Sequence, residues 1–188
     1  MTDLTFVTGN PEKFEIAQAT FQKHGLHLVQ EDLDTDEIQS EDGDKIVRDK
    51  VSKAYEALKR PVVVNDDSWA IPGLNGFPGP YMKSILHWLT VEDLLRLTAP
   101  LEDRRIILSQ RIAYQHDQTQ KVFLKEYTGT ILKESAGVRG NTLWKIISMP
   151  GDEGLSVSQA FEQGRDPAKR EVAEGWEAFI DWYKETNT

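Results

Sequence analysis

The sequence predicts an α/β fold with a mixed sheet flanked by helices, on three observations. Short apolar runs alternate with helix-period segments through the first third of the chain, the pattern of strands covered by helices. A long stretch near the middle alternates apolar and polar residues and reads as a hairpin. A helical apolar stripe closes the chain.

In order, residues 4 to 8, "LTFVT", read as a buried strand. Asn10 is a good N-cap and Pro11 a good first helical residue. Phe14, Ala17, Gln18 and Phe21 share one helical face, and Gly25 ends the helix. His27 to Gln30 fits a second strand, followed by the acidic segment "EDLDTDEIQSEDGD". Asp44 is placed to cap a second helix, in which Val47, Val51, Ala54, Tyr55 and Leu58 share a face. "PVVVNDD" is then an apolar strand ending in two carboxylates. After the Pro/Gly-rich loop "IPGLNGFPGPY", a helical stretch runs from about Met82 to Leu97. In residues 105 to 116, Ile106, Leu108, Ile112 and Tyr114 fall on one strand face, and "HDQTQ" turns the chain into a second strand, Lys121 to Ile131. Val172, Trp176, Phe179, Ile180 and Tyr183 form the closing stripe.

Composition narrows the function. A length of 188 residues favours one domain with a sizeable core. With 22 Lys and Arg against 31 Asp and Glu, the net charge of −9 argues against a general binder of nucleic-acid polymers. A small triphosphate remains compatible, because it needs only a local cationic pocket and a metal ion. The chain has no cysteine, which excludes disulfides, thiolate catalysis and Cys-based zinc sites. The start shows no charged-then-apolar leader, and no apolar run approaches the roughly 20 residues that span a bilayer. The expectation is a cytoplasmic protein with no membrane contact. The four histidines, at 24, 27, 87 and 116, lack HxxxH or HExxH spacing, and no Gly-x-Ser-x-Gly elbow is present.

Two stretches carry candidate chemistry. In "LTFVTGNPEKFE" a strand feeds a glycine turn and a helix N-terminus, which offers free N–H groups and a positive dipole end to an anion. Lys13 in the first turn runs against the dipole preference, as a bound phosphate would require, whereas Glu12 satisfies it, as in an ordinary capped helix. Both readings fit. In "VVVNDDS", two carboxylates at a strand end lie where open α/β sheets bind ligands. One could hold Mg²⁺ and the other orient or deprotonate a water, or both could simply cap a turn. Asn65 and Ser68 add short-range polar contacts. Glu37 is a candidate third metal ligand in a segment that also reads as a solvated loop. Lys50 lies about 60° from Val47 on the helix, placed either to reach a phosphate or to snorkel. Of the five tryptophans, only Trp144 sits in a loop-like context where a base might stack.

"FVTGNPEKFE", "VVVNDDS" and "GLNGFPGPYMKSIL", in that order, resemble the inosine triphosphate pyrophosphatase family over about the first 140 residues. These Mg²⁺-dependent enzymes hydrolyse non-standard purine nucleoside triphosphates to the monophosphate and pyrophosphate. The resemblance implies one elongated domain over residues 1–188, with a long mixed sheet, two lobes around a nucleotide cleft, and a homodimer. Carried over by position, Thr8, Gly9, Asn10 and Lys13 would bind the triphosphate, Lys50 would reach it, and Ser68 would line the site. Glu37, Asp66 and Asp67 would hold Mg²⁺. Asp66, Asp67 and Lys13 would be catalytic, with Asp67 the proton acceptor and the division of roles between the aspartates left open. The family's base-recognising "FG[WY]DP" falls near "GNTLWKIISMPG", where Trp144 matches and Lys145 stands in place of the aspartate. Its later "SHR" corresponds to "AKR", giving Lys169 and Arg170 as substrate contacts. Lysine donates to a purine O6 but cannot accept as aspartate does. The alternatives are therefore a pyrophosphatase of different base preference, or a nucleotide-binding homologue without turnover.

Overall fold

The computed structural model describes residues 4–34, 36–164 and 173–187. Its elements run β1 (Leu4–Val7), α1 (Pro11–Lys23), β2 (Leu28–Glu31), α2 (Gly43–Leu58), β3 (Val62–Ala70), a 3-10 turn (Pro72–Leu74), β4 (Pro78–Gly79), α3 (Met82–Trp88) and α4 (Val91–Thr98). They continue with β5 (Arg105–His116), β6 (Thr119–Ile131), a second 3-10 turn (Leu143–Lys145), β7 (Ile147–Ser148), α5 (Val157–Glu162) and α6 (Glu174–Asn187). Strand order is β2-β1-β3-β5-β6-β7, with β4 paired to β3. β1 runs parallel to both β2 and β3, while β3–β4 and β6–β7 are antiparallel. The sheet is thus mixed, as expected.

The described residues form two compact units. The first takes those of 1–67, 110–125 and 167–188; the second takes those of 68–109 and 126–166.

In the first unit the sheet is covered on both faces, which explains why "VVV" is a continuous apolar run rather than an alternating one. Leu4, Phe6, Val63, Ile112 and Tyr114 pack against Ala17 and Phe21 of α1 and Trp176, Phe179 and Ile180 of α6. Val7, Val62, Val64 and Ala113 face the other way and pack against Val47, Val51 and Ala54 of α2. Alternation along each strand divides these two sets residue by residue. β5 and β6 are joined by Asp117 and Gln118, with Asp117 in the left-handed region at φ 49°, a two-residue connection that only antiparallel neighbours can use.

In the second unit Ile106, Leu108, Tyr127, Ile131, Leu143, Ile146, Ile147 and Phe161 are buried. Arg104 binds the carbonyls of Thr98, Ile131 and Leu132, tying the end of α4 to the end of β6. Gly129 is required where β6 meets β7, because a Cβ there would come within 2.7 Å of the Ser148 carbonyl.

Three expectations are corrected. The helix from Met82 to Leu97 is two helices, because Thr90 starts a new one: its hydroxyl accepts from the Asp93 N–H, and the Asp93 carboxylate accepts from the Thr90 N–H. Asp42, not Asp44, caps α2; its carboxylate accepts from the N–H groups of Asp44 and Lys45, while Asp44 pairs with Arg111 Nε at 2.9 Å. β3 does not end at the aspartates but continues to Ala70, so Asp66 and Asp67 lie within a strand. That last difference shapes the site.

Candidate functional site

The candidate residues of the first unit stand on β1–α1, α2 and β3. Asn10 caps α1 as expected: its Oδ1 accepts the Lys13 N–H at 3.0 Å, and Pro11 follows. This satisfies one N–H of the helix start, and proline supplies none, so the anion cradle there is narrower than an uncapped helix end would offer. Thr8 Oγ1 accepts from the Asn10 N–H at 3.2 Å, and the Thr8 N–H donates to the Glu31 carbonyl at 2.9 Å, which ties the turn to β2. A Cβ at Gly9 would lie 2.7 Å from Asp32 Oδ1, a contact that the exposed Asp32 side chain can relieve by turning. Sequence reading did not single out Asp32, whose carboxylate lies against the turn.

Because neighbouring strand residues point to opposite faces, Asp66 and Asp67 diverge. Asp67 lies on the α1 side with Asn65. Its Oδ2 is 3.0 Å from Lys13 Nζ, and its Oδ1 accepts from Asn65 Nδ2 at 2.8 Å. Asp66 lies on the α2 side, 4.0 Å from Lys50 Nζ, which also donates to Glu37 Oε1 at 2.5 Å. Lys53, one turn on, donates to the Asp36 carbonyl at 2.6 Å and so anchors the acidic segment beside Glu37. Sequence reading did not single out Lys53.

Burial pushes the Asp66 carboxyl above its ordinary range, Lys13 and Lys50 pull it back, and the nearby charges of Asp67 and Glu37 push it further up. Three carboxylates and two ammonium groups thus stand within electrostatic reach of one another. Among the described residues, no group of three or more His, Cys, Asp or Glu side chains is arranged as a metal centre. Glu37 and Asp66 do share Lys50 as a common cation, and their oxygen donors are of the kind that Mg²⁺ takes alongside phosphate oxygens and waters. The chemistry of this donor set fits Mg²⁺.

Ser68 and Trp144 belong to the second unit. Ser68 is the residue after Asp67 on β3 and is half-buried. The Trp144 indole stacks on Phe161 with ring centroids 4.9 Å apart and planes 6° from parallel, and Gly140 packs so closely that a Cβ would overlap the indole. The indole face turned to Phe161 is not free to stack on a base. Arg139 lies over the Phe161 ring at 4.9 Å, and the Glu162 carboxylate accepts the N–H groups of Val138 and Arg139, tying these two residues to α5. Those N–H groups, chiefly that of Val138, hold the Glu162 carboxyl below its ordinary range, with Lys145 a smaller contributor. Lys169 and Arg170 lie outside the described residues. No helix among the described residues is long and apolar enough to cross a membrane.

The Ham1 family model matches residues 4–160. The chain is similar to a dITP/XTP pyrophosphatase of Methanopyrus kandleri, 29% identical over 95% of each chain. It is also similar to an inosine triphosphate pyrophosphatase of Candida glabrata, 30% identical over 97% of this chain and 96% of the relative. Among solved structures, a HAM1 protein from Coxiella burnetii superposes with a TM-score of 0.76 at 16% identity, covering 98% of this chain and all of the other. The Staphylococcus aureus Ham1 protein gives 0.67 at 21% identity, over 96% of this chain and 100% of that one. These two likenesses concern the fold.

Proposed function

As the chain belongs to the Ham1 family, we propose that it hydrolyses non-standard purine nucleoside triphosphates, such as ITP, XTP and dITP, to the monophosphate and pyrophosphate. The observation that carries this reading is the Lys13–Asp67 pair beside the Thr8–Gly9–Asn10 turn: one cation for a polyphosphate and one carboxylate for a water, 3.0 Å apart.

Lys13 and Lys50 bind the phosphates, and the turn and the start of α1 add N–H groups and a positive dipole end. Phosphate oxygens compete with Asp67 for Lys13, which loosens that ion pair as substrate arrives. Asp67 then orients a water toward the α-phosphorus and takes its proton as the new P–O bond forms. The bond to the β-phosphate oxygen breaks, and pyrophosphate leaves with its charge met by the two lysines. Glu37 and Asp66, which share Lys50, would hold Mg²⁺, which would supply further neutralisation of the phosphate charge, while Asp67 is left to the water. Trp144, Lys169 and Arg170 complete the substrate contacts in this reading, and Ser68 follows the catalytic pair on β3. The same reading carries a cytoplasmic homodimer.

A shifted base preference within the same reaction is the second reading. Trp144, the aromatic expected to meet the base, is stacked on Phe161, and Lys145 stands where the family pattern has an acid.

Product analysis tests the reaction. With ITP and Mg²⁺, phosphorus NMR is expected to show inosine monophosphate and pyrophosphate appearing together, and excess EDTA is expected to stop the reaction. Release of inorganic phosphate with the diphosphate would place the attack at the γ-phosphorus and contradict the proposal.

A further inference from the structure

We propose that Asn65 is a positioning residue for Asp67, an inference that rests on the pyrophosphatase reading above and deepens it. Asn65 is 4% exposed, a buried amide within β3, directly after the apolar run Val62 to Val64. Its Nδ2 donates both hydrogens, one to Asp67 Oδ1 at 2.8 Å and one to the Arg111 carbonyl of β5 at 3.1 Å. Both partners can only accept, so the amide must face them with its NH₂ group. The main-chain carbonyl of Asn65 meanwhile accepts from Lys13 Nζ at 3.5 Å, and the other partner of that ammonium is Asp67 Oδ2.

Each oxygen of Asp67 is therefore held from a different side. Lys13 stands on a long, flexible stem and is contested by substrate, so its grip on Oδ2 weakens when phosphate arrives. The Asn65 bond to Oδ1 is part-buried, comes from a short, buried side chain tied to the backbone of the neighbouring strand, and involves no charge on Asn65 for which phosphate could compete. It keeps the carboxylate aimed when the lysine turns to the phosphates. A carboxylate that orients a water tolerates little misplacement, since a shift of about 1 Å can cost on the order of a hundredfold in rate.

The bland account is that Asn65 only satisfies the Arg111 carbonyl, and a double-mutant cycle separates the two. Asn65→Asp keeps the size but loses both donors and sets a second carboxyl against Asp67; Asn65→Ser is the uncharged counterpart should that variant fold poorly. Either is expected to lower kcat for ITP at least about tenfold with KM changed less than about threefold. In an Asp67→Asn background the same substitution is expected to change the residual rate by less than about twofold, because the group being positioned is gone. Urea unfolding of the four proteins is expected to give non-additive midpoint shifts, a readout independent of turnover. Unchanged kcat, or equal losses in both backgrounds, would overturn the positioning role while leaving the reaction intact. Absence of turnover in the wild type would overturn the reaction and this role with it.

Discussion

Asp67→Asn is expected to lower kcat for ITP by about 10²- to 10⁴-fold, the span typical of losing a general base. That is about 3 to 5 kcal/mol of barrier. The substitution is nearly isosteric, and the new amide oxygen can still accept from Asn65 Nδ2, so the loss reports chemistry rather than packing. It also removes the Lys13 ion pair, which is one-quarter exposed on the lysine side and worth little to the fold. KM is therefore expected to stay level or fall, since phosphate no longer competes with Asp67 for the ammonium. Steady-state kinetics with thermal melting checks both halves. A variant retaining wild-type kcat would remove Asp67 from the mechanism.

Trp176→Ala is expected to destabilise the protein by about 3 to 5 kcal/mol, the range for emptying a large aromatic from a core. Trp176 is 1% exposed, with its ring 4.9 Å from Phe6 and 6.0 Å from Phe21 in edge-to-face contacts. It joins α6 to β1 and α1, the two elements that carry the Thr8–Lys13 turn. Urea unfolding measures the loss, and Trp88→Ala is the control. Trp88 is 76% exposed and is expected to change stability by less than about 0.5 kcal/mol. Equal effects at the two positions would contradict the core assignment.

Much of this architecture was legible because local signals and packing agree. The Asn10–Pro11 cap, the Gly25 stop and the alternating β5 all mark elements that the structure contains. The differences lie where a short-range signal has two uses. Asp44, the acidic residue the sequence offers as the cap of α2, pairs instead with Arg111, distant in sequence, and Asp42 two residues earlier caps the helix. Thr90 sits inside an apolar pattern that suggests one continuous helix, although "TVED" holds both halves of a capping box.

The site shows the same limit. The sequence pairs Asp66 and Asp67 as neighbours, and a strand running through them to Ala70 sends them to opposite faces, each toward its own lysine. Continuing the period-two pattern from Val63 would have put Asn65 and Asp67 on one side. The anchoring of the acidic segment by Lys53 depends on tertiary contact between α2 and residue 36 and has no signature in the sequence.

Hydrolysis of deaminated purine triphosphates by this chain is tested most directly by kcat/KM for pyrophosphate release across ITP, XTP, dITP, dUTP and the four standard ribonucleotides. ITP, XTP and dITP are expected to exceed ATP and GTP by at least about a hundredfold, about 2.7 kcal/mol of discrimination. Equal turnover of the standard nucleotides, or tight triphosphate binding without pyrophosphate release, would contradict it.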